Sequence, residues 1–140
     1  LNLNRWKEYD DIITDSLWIL NKRDNSGVHH AGYWGNFIPQ IPNQLLRRYT
    51  KKGDWILDPF LGSGTTLIEA QRLGRNAVGI ELSKKVLGKT KKNIAKESNP
   101  HKVKLEFVFN YDYFIVCECH KPGPVIAIKF CVKRHIYTPP

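Results

Sequence analysis

The stretch that decides the fold is Leu57-Asp58-Pro59-Phe60-Leu61-Gly62-Ser63-Gly64-Thr65-Thr66. An apolar run, Trp55-Ile56-Leu57, leads into a carboxylate, and a glycine-rich turn then leads into a segment with helical character. A second short apolar run ends at another acid, Glu81, in Gly79-Ile80-Glu81. This order is typical of a nucleoside-cofactor site at the carboxyl edge of a parallel sheet.

The segments around this turn alternate between strand and helix patterns. Short apolar or alternating runs predict strands, and apolar residues at a spacing of three or four predict helices. Gly74 suits the C-terminal end of the first helix, and Ser83 suits the start of the second. Strands are assigned to residues 55–58, 77–80 and 104–109, and helices to residues 65–73 and 83–96. The alternation predicts an α/β fold with a parallel sheet and helical crossovers.

The two ends of the chain follow this alternation less well. Pro42 suits the first turn of a short helix over residues 43–49, and residues 21–36 have the composition of a loop. Within residues 12–20, helical spacing and a five-residue strand are both compatible with the pattern. Toward the C-terminus, residues 113–116 and 125–128 have strand-like composition with no helical pattern between them.

Three ligands compete for the glycine-rich turn. A dinucleotide fingerprint requires a third glycine where Leu67 stands, and a phosphate-binding P-loop requires a lysine that Gly64-Thr65-Thr66 lacks. S-adenosylmethionine fits better because it has no phosphate. Its carboxylate suits the start of a helix, its ammonium suits Asp58, and its ribose suits Glu81. A tight turn without a ligand is the alternative, and the two spaced acids favour the ligand site.

The composition limits the class of protein. A chain of 140 residues with 41% hydrophobic and 25% charged residues suits one soluble globular domain, and it has no apolar run of membrane-spanning length. A net charge of +9 favours nucleic acid as a partner, with a solvated basic surface as the alternative. The three cysteines form a poor disulfide framework, and the N-terminus lacks a signal-peptide core. We therefore expect a cytoplasmic protein.

Several motifs carry a family resemblance. They are Asp58-Pro59-Phe60-Leu61-Gly62-Ser63-Gly64-Thr65-Thr66-Leu67-Ile68-Glu69-Ala70, Leu73-Gly74-Arg75-Asn76, Gly79-Ile80-Glu81 and, upstream, Gly35-Asn36-Phe37-Ile38-Pro39-Gln40-Ile41-Pro42. Together they resemble the amino-group DNA methyltransferases, which methylate adenine at N6 or cytosine at N4, usually within restriction–modification systems. The resemblance extends over about residues 12–96.

This resemblance implies a Rossmann-like S-adenosylmethionine-dependent methyltransferase sheet, incomplete in this chain, with DNA as the substrate. It implies one domain over residues 1–140: a segment 1–53 that closes over the cofactor, a cofactor-binding core 54–110, and divergent strands 111–140. Glu81 would hold the ribose, and no metal ion is implied. The other cofactor-binding residues would be Asp58, Phe60, Gly62, Gly64, Thr65, Phe37 and Pro39, with core packing as the alternative for Phe37. Asp112 could match an acid that bonds the adenine amine, although a solvated turn fits its neighbours better.

The family's catalytic motif is Asp, Asn or Ser followed by Pro-Pro and an aromatic residue. Thr138, Pro139 and Pro140 resemble it, but Thr stands first and the sequence ends before an aromatic residue. A frayed terminus is the alternative. Three functional hypotheses therefore stay open. The chain is a DNA amino-methyltransferase or a piece of one, or a cofactor-binding subunit that needs a second chain or a homo-oligomer, or a nucleic-acid-binding module without methylation.

Three further groups carry weaker signals. Cys117-Glu118-Cys119-His120 has no second ligand pair at zinc spacing, so we expect no metal site. His29-His30 lies in a predicted loop, where we expect it at the surface. The lysine-rich segment from Lys84 to Lys96 favours a solvated helix face over a phosphate contact.

Overall fold

The computed structural model describes residue 4 and residues 10–30, 32–109 and 125–127 of the chain. In chain order the elements are α1 (Gln40–Tyr49), β1 (Trp55–Asp58), α2 (Thr65–Leu73), β2 (Asn76–Glu81), α3 (Lys84–Ile94), β3 (Leu105–Phe109) and β4 (Val125–Ala127). The predicted strand at residues 113–116 lies outside the described residues. None of the helices in the described part of the chain has the length and apolar character that a membrane crossing needs.

The four strands form one parallel sheet in the order β3-β2-β1-β4. The predicted α/β fold with a parallel sheet and helical crossovers is therefore confirmed. Successive steps from β1 to β2 to β3 run in one direction. Connections between parallel strands are right-handed in nearly all proteins, and that rule puts α2 and α3 on the same face of the sheet. Asp58 pairs in register with Gly79, and Glu81 pairs with Phe109, so the predicted acids lie at the same carboxyl edge.

The hydrophobic core lies between the sheet and these helices. Ile56 of β1 and Leu67 of α2 are fully buried, and Ile68 of α2 is almost as completely excluded from solvent. Burial of a side chain of this size contributes roughly 1.5–3 kcal/mol to folding. The remaining buried members of this cluster are Leu46, Leu61, Ala70, Ala77, Leu87 and Ile94. Because the core holds β1, β2, α2 and α3 together, it fixes the position of the turns at the carboxyl edge.

Helix α1 begins three residues earlier than the sequence predicts, at Gln40 instead of Asn43. Pro39 stands at its N-cap with φ −57°, which is already a helical angle. Pro42 then falls in the first turn, where a backbone N–H has no partner within the helix and its absence costs little. The predicted start was wrong because it placed Pro42 at the edge of the helix, whereas Gln40 and Ile41 precede Pro42 within the first turn.

Residues 12–20 form neither a helix nor a strand, the two elements compatible with their pattern. The backbone is instead held by polar side chains of α1: Ile13 N–H donates to Gln44 Oε1 at 2.7 Å, and Gln44 Nε2 donates to the Asp11 carbonyl at 3.0 Å. Leu17 and Ile19 are more than 70% exposed. These two apolar side chains are therefore not part of the core formed by the described residues.

Candidate functional site

The glycine-rich turn connects β1 to α2 across the carboxyl edge of the sheet. Leu61 N–H donates to the Ile80 carbonyl of β2 at 2.9 Å, and Gly64 N–H closes the turn on the Leu61 carbonyl at 2.8 Å. Gly62 and Gly64 have φ of +51° and +82°, a region that disfavours residues with a Cβ. The turn is thus fastened to the neighbouring strand and depends on both glycines.

The surroundings of the two glycines give a reason for them that the sequence analysis missed. A Cβ at position 64 would lie 2.7 Å from Ile94 Cδ1 and from Thr90 Cγ2, both on α3. A Cβ at position 62 would lie 2.9 Å from the ring of Tyr33. The glycines therefore let other parts of the chain pack against the turn, in addition to leaving the backbone open to a ligand.

Asp58 is a buried carboxylate at the end of β1, with 8% of its surface exposed. Its Oδ1 accepts a hydrogen bond from Phe60 N–H at 3.0 Å. Burial raises the pKa of Asp58 and the Glu81 charge adds to the rise, while hydrogen bonds from the Thr66 hydroxyl and the Phe60 N–H oppose it. The Glu81 carboxylate thus disfavours the charged form of Asp58, and a cationic ligand would be favoured beside the pair.

Glu81 is oriented by backbone groups at the end of β2. Its Oε2 accepts from Gly62 N–H at 3.0 Å, and its Oε1 accepts from Ser83 N–H at 2.9 Å. A carboxylate has about four acceptor positions, so each oxygen can accept one further hydrogen bond. This arrangement links the glycine-rich turn to the start of α3 and suits a ligand with two neighbouring hydroxyls.

The N-terminus of α2 opens toward the same edge. Gly64 occupies its N-cap and provides no side-chain cap. The first N–H groups of such a helix favour an anionic group. Thr65, predicted to line the cofactor, is buried, and its hydroxyl donates to Asn36 Oδ1 at 2.6 Å. The Thr65 hydroxyl therefore binds the upstream segment.

The upstream segment contacts the turn through residues that the sequence analysis did not select. Tyr33 packs on Gly62, and Asn36 bonds Thr65, which brings residues 33–36 onto the glycine-rich turn. Of the predicted residues, Pro39 is buried at the start of α1, and the Phe37 carbonyl accepts from Arg23 Nη1 at 3.2 Å. Both functional assignments stay predictions.

Apolar side chains also reach solvent beside the two acids. Phe60, predicted to line the cofactor, is 58% exposed on the turn, and Leu82 is 56% exposed directly after Glu81. Exposed apolar surface beside convergent polar groups is a common feature of binding sites. The edge therefore combines two oriented carboxylates, an open helix terminus and accessible apolar surface.

A buried polar cluster behind the site was missed, because His29 was expected at the surface. His29 is 6% exposed, and its Nε2 lies 2.6 Å from Oε1 of Glu69 on α2. Glu69 also accepts from Asn43 Nδ2 at 2.6 Å and from Arg72 Nη1 at 3.3 Å. The prediction was wrong because a loop residue can be buried by a partner 40 positions away, which local composition does not reveal.

The predicted catalytic residues Thr138, Pro139 and Pro140 lie outside the described residues, as do Asp112 and the Cys117–His120 segment. Their assignments stay predictions. Across the described ranges, no group of three or more His, Cys, Asp or Glu side chains is arranged to hold a metal ion.

Comparison with known proteins decides the family. A family model described as DNA methylase matches residues 3–109, more than three quarters of the chain. The chain belongs to the DNA methylase family. The match includes the glycine-rich turn, Glu81 and the upstream segment that contacts the turn, whereas residues 110–140 lie beyond it.

Relatives of this chain are type II methyltransferases. The chain is 39% identical over 101 residues to M2.DpnII of Streptococcus pneumoniae, covering 69% of the chain and 34% of the relative. It is 47% identical over 57 residues to M.MjaII of Methanocaldococcus jannaschii, covering 41% of the chain and 10% of the relative. The chain thus spans about a third or less of the length of these curated relatives.

Among solved structures, a DNA modification methylase from Thermus thermophilus, TTHA0409, complexed with S-adenosyl-L-methionine, is 39% identical to the chain. The superposition has a TM-score of 0.45 and covers 53% of the chain and 30% of that protein.

Proposed function

We propose that this chain is the cofactor-binding part of an S-adenosylmethionine-dependent DNA methyltransferase that modifies the exocyclic amine of adenine or cytosine. Membership of the DNA methylase family supports this proposal. Its relatives are type II methyltransferases, which favours a role in restriction–modification. We further propose that the protein acts in the cytoplasm, where its DNA substrate would be accessible.

The observation that carries the proposal is the pair of oriented carboxylates at the carboxyl edge of the sheet. S-adenosylmethionine has a positively charged sulfonium and ammonium, a carboxylate and two ribose hydroxyls. Asp58 would bind the ammonium, and Glu81, held by two backbone N–H groups, would accept from the ribose hydroxyls. The uncapped start of α2 would receive the carboxylate. The residues present therefore fit this cofactor better than they fit a phosphate.

The remaining predicted contacts belong to the same proposal. Gly62, Gly64 and Thr65 would form the floor of the site, with Phe60, Phe37 and Pro39 beside it. When bound, the cofactor supplies an activated methyl group. The chain's own residues would bind and orient it, which is a large part of catalysis when two reactants must meet in line. Thr138, with Pro139 and Pro140, would accept a hydrogen bond from the target amine.

Isothermal titration calorimetry of the purified chain with S-adenosylmethionine tests the cofactor assignment. Asp58→Ala should weaken binding at least tenfold, because it removes a charge-assisted hydrogen bond worth about 1.5–3 kcal/mol. Asp54→Ala is the matched control: Asp54 precedes the opposite end of β1, where it accepts from Lys51 N–H at 2.8 Å. Equal loss in both variants, or no binding by a folded wild-type chain, would contradict the proposal.

A second candidate function is cofactor binding without catalysis, in a subunit that needs a partner chain or a second copy. The observation that favours it is the extent of the family match, which covers residues 3–109 with the candidate cofactor site and does not reach Thr138, Pro139 and Pro140. Methyl transfer to duplex DNA, measured with labelled cofactor, separates the candidates. Cofactor binding without transfer supports the subunit, and salt-dependent DNA binding without cofactor binding supports a module unrelated to methylation.

A further inference from the structure

Helix α3 carries a row of lysines on its outer side. Lys85, Lys89 and Lys92 recur at helical spacings of four and three, and Lys96 follows four residues later, just beyond the end of the helix. All four are exposed, and α3 contains no acidic residue. At 1.5 Å per residue the row extends over roughly 16 Å. These four residues form the lysine face.

The other two lysines of α3 have a different role. The Lys84 ammonium lies 4.8 Å from the ring centroid of Phe109, and the Lys91 ammonium lies 5.4 Å from that of Phe107. Phe107 and Phe109 are two positions apart on β3, so they point to the same side of the sheet. Cation–π contacts with these rings pack Lys84 and Lys91 onto the strand. The lysine face lies on a different side of the helix.

Most of the protein's net positive charge falls in the segment that contains the lysine face. Residues 84–104 contain eight lysines and one glutamate, a formal charge of +7 within a chain total of +9. The single acid, Glu97, is turned toward other partners: its Oε1 accepts from Arg72 Nε at 3.0 Å, and its Oε2 accepts from Val28 N–H at 3.0 Å. Glu97 therefore pairs with Arg72 instead of offsetting the lysine face.

This distribution of charge opposes the stability of the helix. Like charges three or four residues apart repel each other, and cations in the first turn oppose the positive end of the helix dipole. The buried side of α3 needs none of these lysines, because Leu87, Thr90 and Ile94 make its contacts with the core and the turn. An anionic partner that carries many charges would relieve the repulsion.

We propose that the lysine face binds the phosphate backbone of duplex DNA without regard to sequence. The choice of DNA as the polyanion rests on the proposed function. The face begins beside the candidate cofactor site, because Ser83, which caps α3 by accepting from Val86 N–H, donates its own N–H to Glu81. Phosphate contacts position a protein on the duplex and carry no sequence information, so the partner can be tested without knowledge of the recognition site.

The test measures binding of the full chain to a fluorescent duplex of arbitrary sequence over a series of salt concentrations between ~50 and ~200 mM. The variant Lys89→Gln/Lys92→Gln/Lys96→Gln removes three charges and keeps the helix propensity. If each lysine contacts a phosphate, the slope of log affinity against log salt should fall by about 2.7, since each contact contributes about 0.9.

A second triple variant controls for the loss of charge itself. Lys22→Gln/Lys51→Gln/Lys52→Gln removes the same charge from exposed positions away from α3, and its slope should fall by less than the ~0.9 expected of one contact. Equal slopes for the two variants, an unchanged slope for the α3 variant, or no DNA binding by the wild-type chain would overturn the proposal. Binding to phosphatidylserine vesicles instead of DNA would overturn it as well.

The cofactor titration separates this inference from the function on which it rests. The α3 variant should bind S-adenosylmethionine as the wild type does, because its three lysines lie away from Asp58 and Glu81. Intact cofactor binding with an unchanged salt slope refutes the lysine face alone. If the wild-type chain does not bind the cofactor but its salt slope still depends on the α3 lysines, the proposed methyltransferase function is refuted and the proposed DNA-binding surface is retained.

Discussion

Replacement of Gly64 by alanine tests the packing of α3 against the glycine-rich turn. The new Cβ would lie 2.7 Å from Ile94 Cδ1 and Thr90 Cγ2, well inside normal contact distance, and the residue would keep φ near +82°. Left-handed backbone costs a residue with a Cβ roughly 1–2 kcal/mol. Overpacking of a well-packed site costs about 1–3 kcal/mol more. The expected loss of unfolding free energy is therefore about 2–5 kcal/mol.

Gly53→Ala provides the matched control. Gly53 has almost the same backbone angle, φ +88°, but a Cβ there would meet nothing within 4 Å. It should lose only the backbone contribution, about 1–2 kcal/mol. The difference between the variants isolates the clash with α3 and should be about 1–3 kcal/mol, or roughly 4–12 °C in Tm for a domain of this size.

Urea denaturation monitored by tryptophan fluorescence measures the free energy of unfolding of both variants. Titration with the cofactor gives a second readout. Gly64→Ala should also weaken S-adenosylmethionine binding, because a displaced turn moves the N–H of Gly62 away from Glu81. Gly53→Ala should leave binding unchanged. An equal loss of unfolding free energy in the two variants would show that α3 does not pack against Gly64.

Three further predictions concern buried polar groups. Asp58→Asn should raise Tm at neutral pH while it weakens cofactor binding, because burial raises the pKa of Asp58 and the ionised form destabilises the folded state. The gain should vanish below the ordinary Asp pKa of 3.8, where the folded and unfolded wild type are both protonated. Glu69→Gln should lower the free energy of unfolding by about 2 kcal/mol, because His29 and Asn43 both bond to the Glu69 carboxylate and the variant has one acceptor oxygen fewer. Thr90→Val should cost about 1 kcal/mol by removing a hydroxyl that donates to the Gly62 carbonyl at 2.7 Å.

Thermal melts between about pH 3 and pH 8 and urea titrations check these three variants. For Asp58, folded protein that holds its proton more tightly than the unfolded chain must lose stability as pH rises from 3.8 through the raised pKa. A pH-independent difference between Asp58→Asn and wild type would contradict this. Thr90→Ser keeps the hydroxyl, so it should retain the bond to Gly62. Full stability of Glu69→Gln would show that the His29 cluster does not anchor the loop.

Local sequence patterns predicted the central elements well. Gly74 marked the end of α2 and Ser83 marked the start of α3, while short apolar runs marked β1 and β2. These signals depend on backbone geometry and on which residues can cap a helix, both of which act over a few neighbouring positions. The start of α1 at Gln40 was not predicted, because Pro39 and Pro42 are both compatible with the first turn of a helix.

Contacts between distant parts of the chain could not be predicted in the same way. Tyr33 covers Gly62, Asn36 bonds Thr65, and His29 is buried against Glu69, each across about 30–40 positions. Such pairs depend on how a segment without regular structure crosses the helices. Nothing in the local composition of residues 21–36 distinguishes that path from a solvent-exposed loop.

The sequence by itself determined that two acids and a glycine-rich turn meet at the carboxyl edge of a parallel sheet. Strand ends in a parallel sheet lie side by side, so Asp58 and Glu81 had to be neighbours once the alternation of elements was established. Only the tertiary structure decided what surrounds them: Gly62 orients Glu81, burial raises the pKa of Asp58, and α3 packs beneath Gly64. The physical reason is the range of the interactions. Periodicity and backbone preference act between neighbouring residues, whereas burial and electrostatics depend on the whole packed chain.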